Sequence, residues 1–567
     1  MTRLAEARAR FSILSDRRFE LLAYGAIVVG AALLRLGNLA IRGTWDADQG
    51  HDMLVLRSLV LNGRLPLLGP PTSIGDFHHG VLYYLLLAPA AALSHADPVA
   101  VTTWIALGGI AAVAVTGWLA RSIAGPLAGV LAALLLAVSS SAVEESIFIW
   151  NPNLIALSSS IALAAAWHAW RSERTGWWLV AGAAAVVTMH CHVLGVILTP
   201  VIAGLLVADL RRRRRRLDHR GAATVGRMAF GWLALALLSY VPLAIHELGS
   251  NASELRAAVA FVTGGGGPAA IALPARLPIA GLRVLGWPLT GLITAAPLAT
   301  VLAAALVISL AIWRGWLARE QPRRGEDQAD TEGRAADDTD DEQTAVRWLA
   351  LGLAWTVVAL AVGASSLATI VAGLPNDHYH AFADPMVVVL VAVGLAALIN
   401  HGVTACRGAG PAAINRALAA VVVVALVGWN LANQPPPRAA DGGWAAARAA
   451  ADRVLGVAGS QPIVLSSLPT FKSDEALRMP LAASAADVMP AGVNGASFGG
   501  PNAIRVILCD QLFREAIGSD CGGQAEDAWL ADPASGLAGG GLSRDAARAL
   551  VDRFEAAPGR WISIYRP

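Results

Sequence analysis

Runs of about twenty apolar residues recur through the first three quarters of this 567-residue chain. Segments of that length and character fold as helices that cross a bilayer, because lipid offers backbone N–H and C=O groups no partner outside the segment. The remaining composition agrees. Only 15% of residues are charged, where a soluble domain carries about a quarter. A net charge of +2 points to no nucleic-acid partner. The first run, from Leu21 to Ile41, follows Arg17 and Arg18 but has no A-x-A type cleavage site. It is therefore expected to stay in place as a first helix with the N-terminus in the cytoplasm.

Arginine placement orients the other runs. Arg121, Arg171, Arg174 and the block Arg211 to Arg216 fall on one side if about eleven helices cross the membrane. These spans run from Leu21, Pro98, Ala124, Asn153, Trp177, Val193, Met228, Leu292, Trp348, Met386 and Ala417. The run Val81 to Leu93 is short for a span. It reads as an interfacial or re-entrant helix within a first outer segment, 42–96. Residues 320–346, rich in Asp, Glu, Arg and Gly, read as a disordered cytoplasmic linker. The expected fold is thus a polytopic α-helical membrane domain, 1–434, followed by a small α/β extracytoplasmic domain, 435–567, after Pro435-Pro436-Pro437. Helices are expected over Trp444 to Leu455 and Leu542 to Phe554, and strands over Pro462 to Leu468, Ile504 to Leu508 and Trp561 to Tyr565. Cys509 and Cys521 both fall there, and an oxidising compartment favours their disulfide.

Polar residues collect at the outer helix ends. The first group is Trp45-Asp46-Ala47-Asp48-Gln49-Gly50-His51-Asp52, followed by Asp76-Phe77-His78-His79. Then come Glu144, Asn151, Asn153, His190, His192 and His246, and finally His378, Tyr379, His380 and Asp384. Most of the twelve histidines lie on this side. That bias suits an anionic ligand and proton transfer. Asp46 can cap a helix that runs to Asn62 and stops at Gly63, with Asp48 and Asp52 on one face. Met53, Leu54, Leu56, Leu59 and Val60 would turn toward lipid. His190 and His192, two apart, do not match the i, i+4 spacing of helical zinc pairs.

Four stretches resemble the GT-C glycosyltransferases, in particular the lipid-linked-sugar branch with aminoarabinose transferases and protein O-mannosyltransferases. They are Asp48-Gln49 after the first helix, Asp76 to Tyr84, Ile149-Trp150-Asn151-Pro152-Asn153-Leu154, and His378 to Pro385. The resemblance implies transfer of a sugar, with inversion, from a polyprenyl-phosphate or -pyrophosphate donor at the outer face of a bacterial plasma membrane. It implies Asp48 as the catalytic base, with Asp46 as second choice. Donor and acceptor contacts would come from Asp52, His78, His79, Tyr83, Glu144, Asn151, Asn153, His190, His192, His246, His378, Tyr379 and His380. The acceptor, whether protein, lipid or glycan, is not specified. Gln49 stands where the family has Glu and Asn151 where a second Asp is common, so an obligatory metal is not expected. A bound Mg²⁺ or Mn²⁺ would fall to Asp46 and Asp48. The alternatives are a transporter or flippase of a lipid-linked or anionic solute, and a non-catalytic scaffold. Transporters place their polar groups near the midplane rather than at one face.

Overall fold

The structure is a computed structural model. It describes residues 17–72, 77–263, 271–291, 296–317, 329–364, 378–404, 409–469, 474–484, 486, 488–490, 503–531 and 549–566. Among them, eight helices are long and apolar enough to cross a membrane. These are Arg17–Leu36, Pro98–Ala124, Val193–Arg215, His219–Gly249, Pro297–Leu317, Asp341–Gly363, His378–Asn400 and Ala413–Ala432. The chain is an integral membrane protein. Three of the eleven expected spans are shorter or less apolar helices, namely Pro126–Val138, Ile155–Ser172 and Trp177–Cys191. The Val81 to Leu93 run is a 12-residue helix, Leu82–Leu93.

The arginine-bearing helix ends meet one another. Arg121 pairs with Glu20, Arg216 with Glu173 at 2.8 Å, and Arg314 with Glu342 at 2.5 Å. Arg212 reaches the Trp170 carbonyl at 2.8 Å, and Arg171 lies 3.9 Å from Asp341. The histidines and acids of the candidate site collect elsewhere, around one cavity.

Two local expectations change. Residues Leu273–Thr290 form a helix where an outer loop was expected. Pro278, Pro288, Arg276 and Arg283 interrupt its apolar pattern, yet its last turn packs on the next helix through Thr290 and Thr300 at 3.3 Å. The linker expected over 320–346 is helical from Ala329, as an N-terminal extension of the Ala329–Gly363 helix. Its Ala, Glu, Gln and Arg content favours helix when a rigid span can propagate it. Residues 320–328 lie outside the described residues.

The C-terminal domain is a five-stranded mixed sheet of order β2-β1-β3-β5-β4. The strands are β1 (Ile463–Leu468), β2 (Val488–Pro490), β3 (Ile504–Asp510), β4 (Leu550–Ala557) and β5 (Arg560–Tyr565). β1 and β3 are buried along their whole length, as continuous apolar strands in the middle of a covered sheet should be. The helix expected over 542–554 is corrected from Leu550 onward. There β4 pairs antiparallel with β5, and the hairpin turns at Gly559, whose φ is +78°. Cys509 and Cys521 are disulfide-bonded, tying β3 to the loop that follows it.

Candidate active site

The site begins with a helix whose two ends are dictated locally. Ala47–Asn62 starts at Asp46, whose N–H donates to Gln49 Oε1 at 2.9 Å in a capping box. It stops at Gly63, which has φ of +66° and closes the last turn by donating its N–H to the Leu59 carbonyl at 3.1 Å. The helix does not lie open on lipid and water. Met53 and Leu56 are fully buried in the protein. Asp52 is buried as well, and accepts from Tyr83 Oη at 2.8 Å and Tyr84 Oη at 2.9 Å. Burial raises the Asp52 carboxyl to about 7, against the opposing pull of the tyrosine hydroxyls and His51. Removing either hydroxyl should therefore be felt. Tyr83→Phe and Tyr84→Phe are each expected to lower stability by about 1–3 kcal/mol, the cost of stranding a buried polar group. The check is the thermal midpoint of the purified protein; an unchanged midpoint in both variants would remove Asp52 from the structural core.

The first turn of this helix is gripped by the C-terminal domain. Trp45 donates Nε1–H to the Ala476 carbonyl at 2.8 Å, and its ring centroid lies 4.6 Å from that of Trp444. Asp441 accepts from Thr44 Oγ1 at 2.7 Å and Trp45 N–H at 2.8 Å. Arg560, at the start of β5, donates to the Trp45 carbonyl at 2.9 Å and to Asp46 Oδ1 at 2.8 Å. Asp46 is therefore a cap and a docking partner for Arg560.

A cavity of about 300 Å³ opens beside this turn. Its lining includes Asp48, His51 and Asp52 from the helix, His79, Asn151 and His192, then His378, Tyr379 and Glu475. Seven residues proposed from the sequence thus converge. The rings form a chain. Centroids of His79 and His192 are 4.8 Å apart, His192 and His378 5.2 Å, and His378 and Trp150 4.2 Å. His79 Nδ1 accepts from Val193 N–H and His192 Nδ1 from Leu194 N–H, at 3.3 and 3.2 Å. An accepting Nδ1 on a neutral ring puts the proton on Nε2. Burial, and then the neighbouring His192, hold His79 well below the usual histidine range. Nε2 is thus the nitrogen from which the His79 ring can donate a hydrogen bond. Asn151 donates to the Cys191 carbonyl at 2.5 Å and is locked in place.

The other residues proposed from the sequence go elsewhere. His78 bonds Glu254 at 3.0 Å, and Tyr83 holds Asp52. Asn153 caps its own turn at the Phe148 carbonyl, 2.7 Å away. His190 accepts from Leu82 N–H, contacts Ser239 Oγ at 2.8 Å and stacks on Tyr240, which makes it a packing residue. His380 is buried against Asp384 at 3.0 Å. His246 meets Ser253 at 3.5 Å. Glu144 lines a second cavity, with Arg42, Ser140 and Asn433. Asp76 lies outside the described residues.

Asp46 and Asp48, the pair to which a metal would fall, part company in the structure. Only Asp48 lines the cavity, and Asp46 is engaged by Arg560. Among the described residues, no group of three or more His, Cys, Asp or Glu side chains is arranged to hold an ion. Sequence reasoning passed over His51 and Glu475. Glu475 Oε1 and Oε2 lie 3.0 and 3.2 Å from His51 Nδ1. His51 stands in the acidic first turn and could have been singled out; Glu475 carried no local signal.

The long-helix bundle joined to a small C-terminal α/β domain has the fold of the GT-C glycosyltransferases. Two crystal structures of ArnT from Cupriavidus metallidurans share it. The form bound to undecaprenyl phosphate has a TM-score of 0.53 at 13% identity, covering 96% of this chain and 97% of that one. The apo form has a TM-score of 0.51 at 14% identity, with the same coverage of both chains. Archaeal oligosaccharyltransferase AglB from Archaeoglobus fulgidus, in complex with an inhibitory peptide and a dolichol-phosphate, overlaps at a TM-score of 0.48 and 12% identity. It covers 88% of this chain and 70% of that one. No protein-family profile and no curated protein sequence matches the chain.

Proposed function

We propose that the protein transfers a sugar from a polyprenyl-phosphate or -pyrophosphate donor to a hydroxyl-bearing acceptor, with inversion. The observation that carries this reading is Asp48 in one cavity with His51, His79, His192 and His378, inside a fold shared with an undecaprenyl-phosphate-bound protein. Asp48 takes the acceptor hydroxyl proton, and the hydroxyl oxygen attacks the anomeric carbon. The bond from that carbon to the donor phosphate oxygen breaks, releasing the lipid phosphate or pyrophosphate. The carboxylate must come within hydrogen-bond reach of the hydroxyl. The charge that gathers on the departing phosphate is met by imidazole N–H groups already fixed in direction. No step calls for a metal. On this reading the protein belongs to a bacterial plasma membrane, and the arginine rule orients it with the N-terminus inside and the 435–567 domain outside.

The test uses purified protein in lipid vesicles with an undecaprenyl-phosphate-linked sugar and a mixed pool of cell-envelope acceptors. Label should move from the lipid to an acceptor, and the lipid phosphate should be released in equal amount. Translocation of intact lipid-linked sugar without release would establish a flippase instead.

A further inference from the structure

Resting on that reading, we propose that Glu475 of the C-terminal domain is a positioning residue for His51, whose Nε2–H binds the phosphate of the lipid-linked donor. His51 follows Asp48 by three residues, so both project from one face of the Ala47–Asn62 helix, and both line the cavity. Glu475 lines it too, from the Glu475–Ala483 helix. Both carboxylate oxygens of Glu475 lie on one ring nitrogen, Nδ1. That contact fixes the ring plane and leaves Nε2 as the nitrogen a ligand can reach. Among the described lining residues there is no Arg or Lys. A departing phosphate nonetheless needs a cation or several donors. Burial lowers the proton affinity of His79. His51 differs. Burial lowers its proton affinity, but Glu475, then Asp52 and Asp48, outweigh that and raise it.

The surroundings of His51 on each packed element are consistent with that role. The facing helix brings Glu475 and, beside it, Asp474, which is paired with Arg478 at 2.5 Å. The ring's own helix brings Asp48 and Asp52. The Leu82–Leu93 helix brings Tyr83 and Tyr84, both bonded to Asp52. β5 brings Arg560, bound to Asp46. The sign follows. His51 is protonated more readily in the folded protein. The stabilisation by Glu475 is therefore fully present below the ordinary histidine value and is lost as pH rises through the raised one. Binding of a phosphate through Nε2–H should fade over the same interval.

The experiment measures equilibrium binding of undecaprenyl phosphate to the full chain in nanodiscs, from about pH 5 to 9. Wild type, Glu475→Gln, His51→Lys and the double variant are compared. Wild-type binding should weaken at the alkaline end. Glu475→Gln should move that decline to lower pH. The loss should be severalfold near neutral pH, with near-normal binding at about pH 5. In the His51→Lys background, whose charge needs no carboxylate partner, Glu475→Gln should add no further loss. An unmoved profile in Glu475→Gln, or equal weakening at every pH, overturns the positioning role and leaves the transferase reading standing. If wild type does not bind the probe at any pH, the donor reading falls and this proposal falls with it.

Discussion

Replacing Asp48 by Asn is expected to lower sugar transfer by about 10²–10⁴-fold, the usual contribution of a positioned general base. Binding of undecaprenyl phosphate should survive. The substitution keeps the size and the hydrogen-bonding shape of the side chain. It removes only the capacity to accept the hydroxyl proton. The loss should therefore appear in kcat, with little change in the donor KM. Asp46→Asn is the internal comparison. Asp46 caps the helix and meets Arg560, so its loss should weaken docking of the C-terminal domain and lower transfer far less than Asp48→Asn does. If Asp48→Asn transfers sugar at the wild-type rate, the base is another group and the mechanism above is wrong.

The second large effect is expected at Gly50. This glycine closes the first turn of the Ala47–Asn62 helix, where it costs stability relative to alanine. The reason is contact. A Cβ there would lie 2.2 Å from the Glu475 carbonyl oxygen and 2.4 Å from its carbon, and both are backbone atoms that cannot swing aside. Gly50→Val must therefore push the helix and the C-terminal domain apart. Overpacking of this kind costs about 1–3 kcal/mol, and here it also separates His51 from Glu475. Transfer activity should fall at least about tenfold, the equivalent of 1.4 kcal/mol in an affinity or barrier. Limited proteolysis should release the 435–567 domain faster. Wild-type activity and wild-type cleavage in Gly50→Val would show that close seating of the two domains is dispensable.

The ends of the site helix were readable because each is fixed by one residue, Asp46 at the start and Gly63 at the stop. The basic ends of the spans were readable because arginine at a membrane boundary has few places to go. Three strands of the C-terminal sheet were readable from short apolar runs; β4 was not, because LVDRFEAA alternates as well in a helix as at a sheet edge. What could not be read is the direction a side chain takes once the helices pack. Glu144 and Asn151 are seven residues apart and face different cavities. Asp52 was expected to contact a substrate, but two tyrosines from another helix enclose it. Glu475, 424 positions from His51, was out of reach for any argument from spacing.

The grip of Arg560 on Trp45 and Asp46 also sets a clock. The two sides of that contact are separated by 515 positions in the chain. At a synthesis rate of about 5–20 residues per second, roughly 25–100 s pass between the emergence of the site helix and the arrival of the strand that secures it. By then all the spanning helices have been made. The cavity is thus finished last, after the bundle is in place. A chain whose translation has not passed β5 carries Asp48 but not the domain that seats its helix, so activity should begin only after β5 has been made.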